Sequence, residues 1–305
     1  MLLVYNILPR KCLKLRFMQK NQTFNRVMLV ALSIWLILLA AQGLINTFKK
    51  PAKINTPLSA YERVMQSKTL RCGYILFPPA VMKDPNTGAF SGVAVDVMTK
   101  VGERLGLNID WTEEVTFATN VQGLQTGRYD AVCITYWMNP NEGKFVGFST
   151  PFYYSGMIGA QKCDKPRDEK DWNDPNFKIA LLDGSVASRV TAARFPKAGV
   201  VTLPNSADLT QLLMNVTTGK ADMAFVEPFH IAEWNANNPK DKLCGSEKPL
   251  VVFPNVIAIP QGDLAFKTMI DAALTDIINS GEMDQILDKY EKYPGSFYRL
   301  AKPFR

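Results

Sequence analysis

Histidine is almost missing from this chain: its 305 residues include one, His230. The five cysteines, Cys12, Cys72, Cys133, Cys163 and Cys244, form no CxxC pair and have no histidine beside them. A zinc site needs several such ligands at short spacing, and a histidine-based triad needs a partnered base, so neither is supported. No metal or other cofactor is expected. Acids are absent from the first 45 residues, which carry six bases: Arg10, Lys11, Lys14, Arg16, Lys20 and Arg26. The formal net charge of +7 comes largely from this head, since removing its six bases from 35 leaves 29 against 28 acids. The remainder is close to neutral, so a basic face for phosphate backbones, and with it nucleic-acid binding, is not indicated.

Charge is also missing from "VMLVALSIWLILLAAQGLI", Val27 to Ile45. That length is about the minimum for a helix crossing a hydrocarbon core. Bases outnumber acids most strongly before it, with Lys49, Lys50 and Lys53 after it, which orients the N-terminus to the cytoplasm and exports the rest. The small residues in "AAQG" make a cleaved signal an equal alternative to an anchor. The expected location is periplasmic or otherwise extracytoplasmic, anchored by residues 27–45 or released after cleavage. No cysteine stands where a lipid anchor would need one. The four cysteines beyond the segment then face an oxidising compartment, where disulfides persist.

What the chain has in quantity is alternation. Residues 1–26 read as the basic head, 27–45 as the apolar segment and 46–67 as a polar tether ending in a short helix. Then "TLRCGYILF" reads as a strand, "VAVDVMTKVGERLGL" as a helix stopping near Gly106, "NIDWTEEV" as a strand, "TNVQGLQTGR" as a short helix and "YDAVCITYW" as a strand. After residue 160 the pattern restarts with "KIALLDGSVASRVTAARF", a strand turning into a helix at Gly184-Ser185. Such alternation predicts parallel sheets with helices on their faces. The expected fold class is α/β with two lobes, 68–160 and 161–252. Residues 253–305 return to the first lobe and close with helices. Extended segments near 155–163 and 251–260 link the lobes and leave a cleft, where ligands favour the carboxyl ends of strands and domain junctions. Cys163 and Cys244 border those segments and suit a disulfide, while Cys72 and Cys133 read as buried strand residues acting as small hydrophobes.

Six stretches, "GAFSGVAVDVMTKVGERLGL", "LQTGRYDAV", "FSTPFYYSG", "IALLDGS", "TTGKADMAF" and "IAIPQGDLAFKTMIDAAL", fall in the order and spacing of a known family. Over roughly residues 68–293 the chain resembles the bacterial extracellular solute-binding proteins of family 3, the type II periplasmic receptors of polar amino-acid ABC importers. The resemblance implies the two-lobed type II periplasmic-binding-protein fold. It places pocket aromatics at Phe77 and Phe117, and ligand-facing groups at Ile134, Thr135, Tyr136 and Trp137. It also places a glycine-hydroxyl helix start at Gly184, Ser185 and Val186, and at Glu227 an acid that holds the ligand ammonium. The family's arginine for the ligand carboxylate falls at Glu142 in "NPNE", which reverses the charge. With acids on both lobes and aromatics between them, the cleft is expected to suit a cationic or amine-bearing solute. The alternative is that Glu142 turns to solvent.

Ser185 serves equally well as a helix cap or as part of an anion site. Arg189 reads as a solvated helix residue, and His230 as a residue that caps or packs. The resulting expectation is a solute-binding receptor, not an enzyme, that delivers a small polar solute to an ABC permease by hinge closure. The competing readings are a periplasmic dehydratase-like enzyme on the same fold, using Glu227 or Glu142 as acid, and a membrane-anchored ligand sensor.

Overall fold

The structure, a computed structural model, describes residues 11–48 and 57–301; side chains are described from Phe24 to Gln42 in the first of these and throughout the second. Arg10 of the basic head, and Lys49, Lys50 and Lys53 of the tether, lie outside the described residues. Helix α1 spans Lys11–Phe48. Its stretch Phe24–Gln42, 19 residues with mean hydropathy 2.0 and exposed side chains, is long and apolar enough to cross a membrane.

A separate unit begins at Leu58. It opens with α2 (Ala60–Ser67), capped by a reciprocal pair: Ser59 Oγ accepts from the Glu62 N–H, and the Glu62 carboxylate accepts from the Ser59 N–H. Ala60 and Val64 of this helix are buried in the first lobe's core. That lobe continues through β1 (Thr69–Tyr74), a small β2 (Met82–Lys83) and β3 (Phe90–Ser91) pair, α3 (Val93–Leu105), β4 (Asn108–Glu114), α4 (Asn120–Gln125), β5 (Ala131–Trp137) and β6 (Val146–Phe148). Gly106 ends α3 in the left-handed conformation, with φ 62, at the position where the sequence predicts the stop. Strand β1 lies parallel to both β4 and β5.

Two ten-residue strands then carry the chain between lobes: β7 (Tyr153–Lys162) outward and β12 (Val251–Pro260) back. The second lobe holds β8 (Lys178–Leu182), α5 (Val186–Arg194), β9 (Gly199–Leu203), α6 (Leu209–Thr217), β10 (Met223–Val226), α7 (Pro228–Asn237) and β11 (Leu243–Gly245). Strands β9, β8 and β10 are parallel, and β10 lies antiparallel to the far end of β7. The strand order β4-β1-β5-β12-β7-β10-β8-β9 therefore has one seam, where Val251–Asn255 pairs antiparallel with Tyr153–Met157. Helices α8 (Leu264–Ser280) and α9 (Glu282–Tyr290), divided at Gly281 with φ 87, bury Phe266, Ile270, Leu274 and Leu287 back in the first lobe.

The reading of Cys72 and Cys133 as free hydrophobes is corrected: they form a disulfide, with Cα atoms 5.4 Å apart. Cys72 aligns with Ala131 in the parallel β1–β5 pair, so Cys133 lies nearby on the same face of the neighbouring strand. Both are fully buried nonetheless. The second bridge joins Cys163, just past β7, to Cys244 of β11.

Candidate functional site

A cavity of about 400 Å³ opens where the carboxyl ends of β5, β8 and β10 converge beside the seam. Phe77, Phe117, Ile134, Thr135, Tyr136, Trp137, Glu142, Gly184, Ser185, Val186 and Glu227 all line it. Asn139, Arg189 and His230, none of them expected among the ligand-facing residues, line it as well.

The first lobe supplies a polar network and an aromatic mouth. Tyr136 is buried, and its phenol donates to Glu142 Oε2 at 2.7 Å and contacts Asn120 Oδ1 at 3.2 Å. Burial first, and Glu142 second, push this phenol far above its usual range, so it acts as a donor. Asn139 Nδ2 donates to the same Glu142 oxygen, and the Glu142 N–H returns a bond to Asn139 Oδ1. Glu142 thus turns into the cavity, on the short 3-10 turn Glu142–Lys144, and not out to solvent. Phe77 and Phe117 meet edge to face at 6.0 Å.

Residues at the seam hold the second acid. Trp137 stacks on Phe253 with ring centroids 4.6 Å apart and donates from Nε1 to Ser155 Oγ at 2.7 Å. The neighbouring Tyr136 joins the first lobe's core, as opposite-facing strand neighbours do. Glu227 stands at the start of α7, just past the end of β10, and its side chain makes no bond to the helix's first turn. Burial raises its carboxyl to about 7, with hydrogen bonding from Ser155 and Trp137 opposing the rise. His230 lies one turn on, its Nε2 3.8 Å from Glu227 Oε2. Desolvation lowers the imidazole to about 4, so at neutral pH it is uncharged and leaves Glu227 without a cationic partner. His230 packs, as expected, edge-on against Phe77 and Phe229. In doing so it also forms part of the cavity wall, and its Nε2 has no hydrogen-bond partner among the described residues.

Ser185 caps α5, its Oγ accepting from the Ser188 N–H at 3.1 Å. Arg189, read as a solvated helix residue, is partly exposed, lines the cavity and donates to the Gly184 carbonyl. The i,i+4 spacing from the cap and the N-ward tilt of helical side chains were the available signal. No group of three or more His, Cys, Asp or Glu is placed to hold a metal among the described residues.

Two α/β lobes hung on a pair of long strands, with a lined cavity beside them, define a bilobal binding receptor. Residues 70–293 match the bacterial extracellular solute-binding proteins, family 3, and the chain belongs to that family. It is similar to the ABC transporter glutamine-binding protein GlnH of Bacillus subtilis (strain 168), 24% identical over 69% of this chain and 76% of the relative. It is also similar to the L-arginine-binding protein of Pseudomonas aeruginosa (strain PAO1 among its designations), 22% identical over 70% and 84%. Among solved structures, an ancestral amino acid-binding protein, described as a precursor of cyclohexadienyl dehydratase, superposes with TM-score 0.66 at 24% identity. It covers 77% of this chain and 100% of that one. The chain is thus a solute-binding protein whose relatives serve amino-acid ABC transporters.

Proposed function

We propose that this receptor captures a small solute bearing an ammonium or guanidinium group in the inter-lobe cavity and presents it, lobes closed, to an ABC permease. One observation carries the ligand class: Glu142 and Glu227 face a single aromatic-walled cavity from different lobes. A cation over an aromatic face gains roughly 0.5–2 kcal/mol, more when water is excluded. Phe77, Phe117 and Trp137 offer such faces, and Glu227 awaits a positive partner at the seam. Relatives named for glutamine, arginine and glutamate/aspartate all fall between 22 and 26% identity, so the reading rests on this chain's own lining.

Closure follows from bridging. A solute touching Glu142 and Tyr136 on one lobe and Glu227 or α5 on the other stabilises the closed form by contacts the open form lacks. No step of this cycle makes or breaks a covalent bond, and binding without turnover is the function proposed. Helix α1 would keep the receptor beside its permease as an anchor, or export it as a signal.

A thermal-shift screen against cationic amines, polyamines, amino acids and small acids tests the reading. A solute present at 100 times its dissociation constant adds about 2.7 kcal/mol of stability. Cationic solutes should raise Tm, and Glu142→Arg should abolish the effect. Stabilisation by acids or neutral amino acids alone would sink the cation reading, and turnover of a prephenate-like acid would sink the non-enzymatic one.

A further inference from the structure

We infer that Arg189 is the cavity's anion anchor, so that the solute is a zwitterion whose carboxylate is carried by the second lobe. This rests on the cationic-solute reading above and narrows it. Among the described residues lining the cavity, Arg189 is the one lysine or arginine. The arginines that brace the fold have carboxylate partners: Arg63 and Arg71 on Asp130, Arg104 on Glu282, Arg194 on Glu169 and Arg299 on Asp288. Arg189 has none within ion-pair distance among the described residues. Its hydrogen bond, Nη1 to the Gly184 carbonyl at 3.1 Å, leaves most of its N–H donors unused.

That bond folds the guanidinium back over the first turn of α5. There Val186 and Ala187, both on the cavity wall, carry N–H groups at helix positions that lack an internal carbonyl. The Ser188 N–H, by contrast, is taken by Ser185 Oγ. The guanidinium donors and two first-turn amides therefore belong to the same end of α5 on the cavity wall, and together they would suit a planar carboxylate. Glu142 is not within ion-pair distance of Arg189, and its Oε2 is held by Tyr136 and Asn139 on the other lobe. The cavity thus offers acids on the first lobe and at the seam, and a base on the second. A solute with both signs of charge would bridge all three.

The full chain, purified in detergent, is titrated calorimetrically with two matched pairs: L-lysine against cadaverine, and L-arginine against agmatine. Each pair differs by one carboxylate. The wild type should prefer the carboxylate-bearing member by about 10- to 100-fold, the range for hydrogen bonds to a charged group. Arg189→Gln should remove that preference while binding cadaverine and agmatine no more weakly than wild type, since it takes away a like charge. Arg189→Lys should restore part of it. An equal loss for both members of a pair, or no loss, overturns the inference. So does a latch: a fall in unliganded Tm in Arg189→Gln that Glu142→Gln cancels. If cadaverine and agmatine bind and the amino acids bind no better, the anion anchor fails and the cation site stands. If no cationic solute binds, both fail.

Discussion

Glu142 and Glu227 face one cavity from different surroundings. Glu142 sits half-buried at the first lobe's rim, one oxygen already accepting from Tyr136 and Asn139 before any solute arrives. Glu227 sits at the seam, where burial lifts its carboxyl to about 7 and the nearby imidazole is neutral. A carboxylate in a dry site takes up a proton until a cation replaces it. The rim acid is a pre-organised oxygen that orients a guest, and the seam acid is a partner that the guest completes.

Removing the two acids in turn is the harshest test of that contrast. Glu227→Ala should weaken a cationic solute by about 3 kcal/mol or more, the scale for losing one member of a buried pair. Calorimetric titration reads it, and a smaller loss than that of Glu142→Gln would reverse the assignment. Next comes the stability of the empty receptor. The folded carboxyl of Glu227 titrates near 7 against an ordinary value of 4.5, so its contribution to stability is lost as pH rises across that interval. His230 acts oppositely: its lowered value, about 4 against 6.5, means stability is lost as pH falls across that window. Wild-type stability should therefore be nearly flat between these limits. Glu227→Gln should exceed wild type by about 3 kcal/mol at pH 8 and come close to it near pH 4.5, by denaturant unfolding at each pH.

Affinity should carry the same signature from the other side. Below pH 7 each solute bound displaces a proton from Glu227, so affinity for a cation should fall by up to about tenfold per pH unit. The slope should vanish in Glu227→Gln and persist in Glu142→Gln; a slope that persists in both would assign the proton elsewhere. Smallest is Glu142→Gln itself, about 1 kcal/mol in affinity, since the amide oxygen can still accept from Tyr136.

The alternation of strands and helices, the turn at Gly184-Ser185, the break at Gly281 and the two long connecting strands could all be anticipated, because each has a local signature in periodicity or turn chemistry. The neighbourhood of Phe77, Thr135, Tyr136, Trp137 and Glu227 followed from resemblance, although what they hold did not. Three features escaped. The Cys72–Cys133 bridge depends on a parallel register between strands 61 residues apart, which no local pattern encodes. Arg189 escaped because a helix lining a cleft mixes polar and small residues just as a helix facing solvent does. His230 escaped because its setting comes from Phe77, on the opposite lobe.

The two disulfides carry a mechanical consequence. One staples β1 to β5 and the other the end of β7 to β11, so each clasp stiffens a single jaw and neither crosses the cleft. Compliance is left to the short stretch where Tyr153–Met157 runs beside Val251–Asn255. Reducing agents should thus soften the jaws while sparing the bite, and a receptor weakened in melting could still shut on its guest.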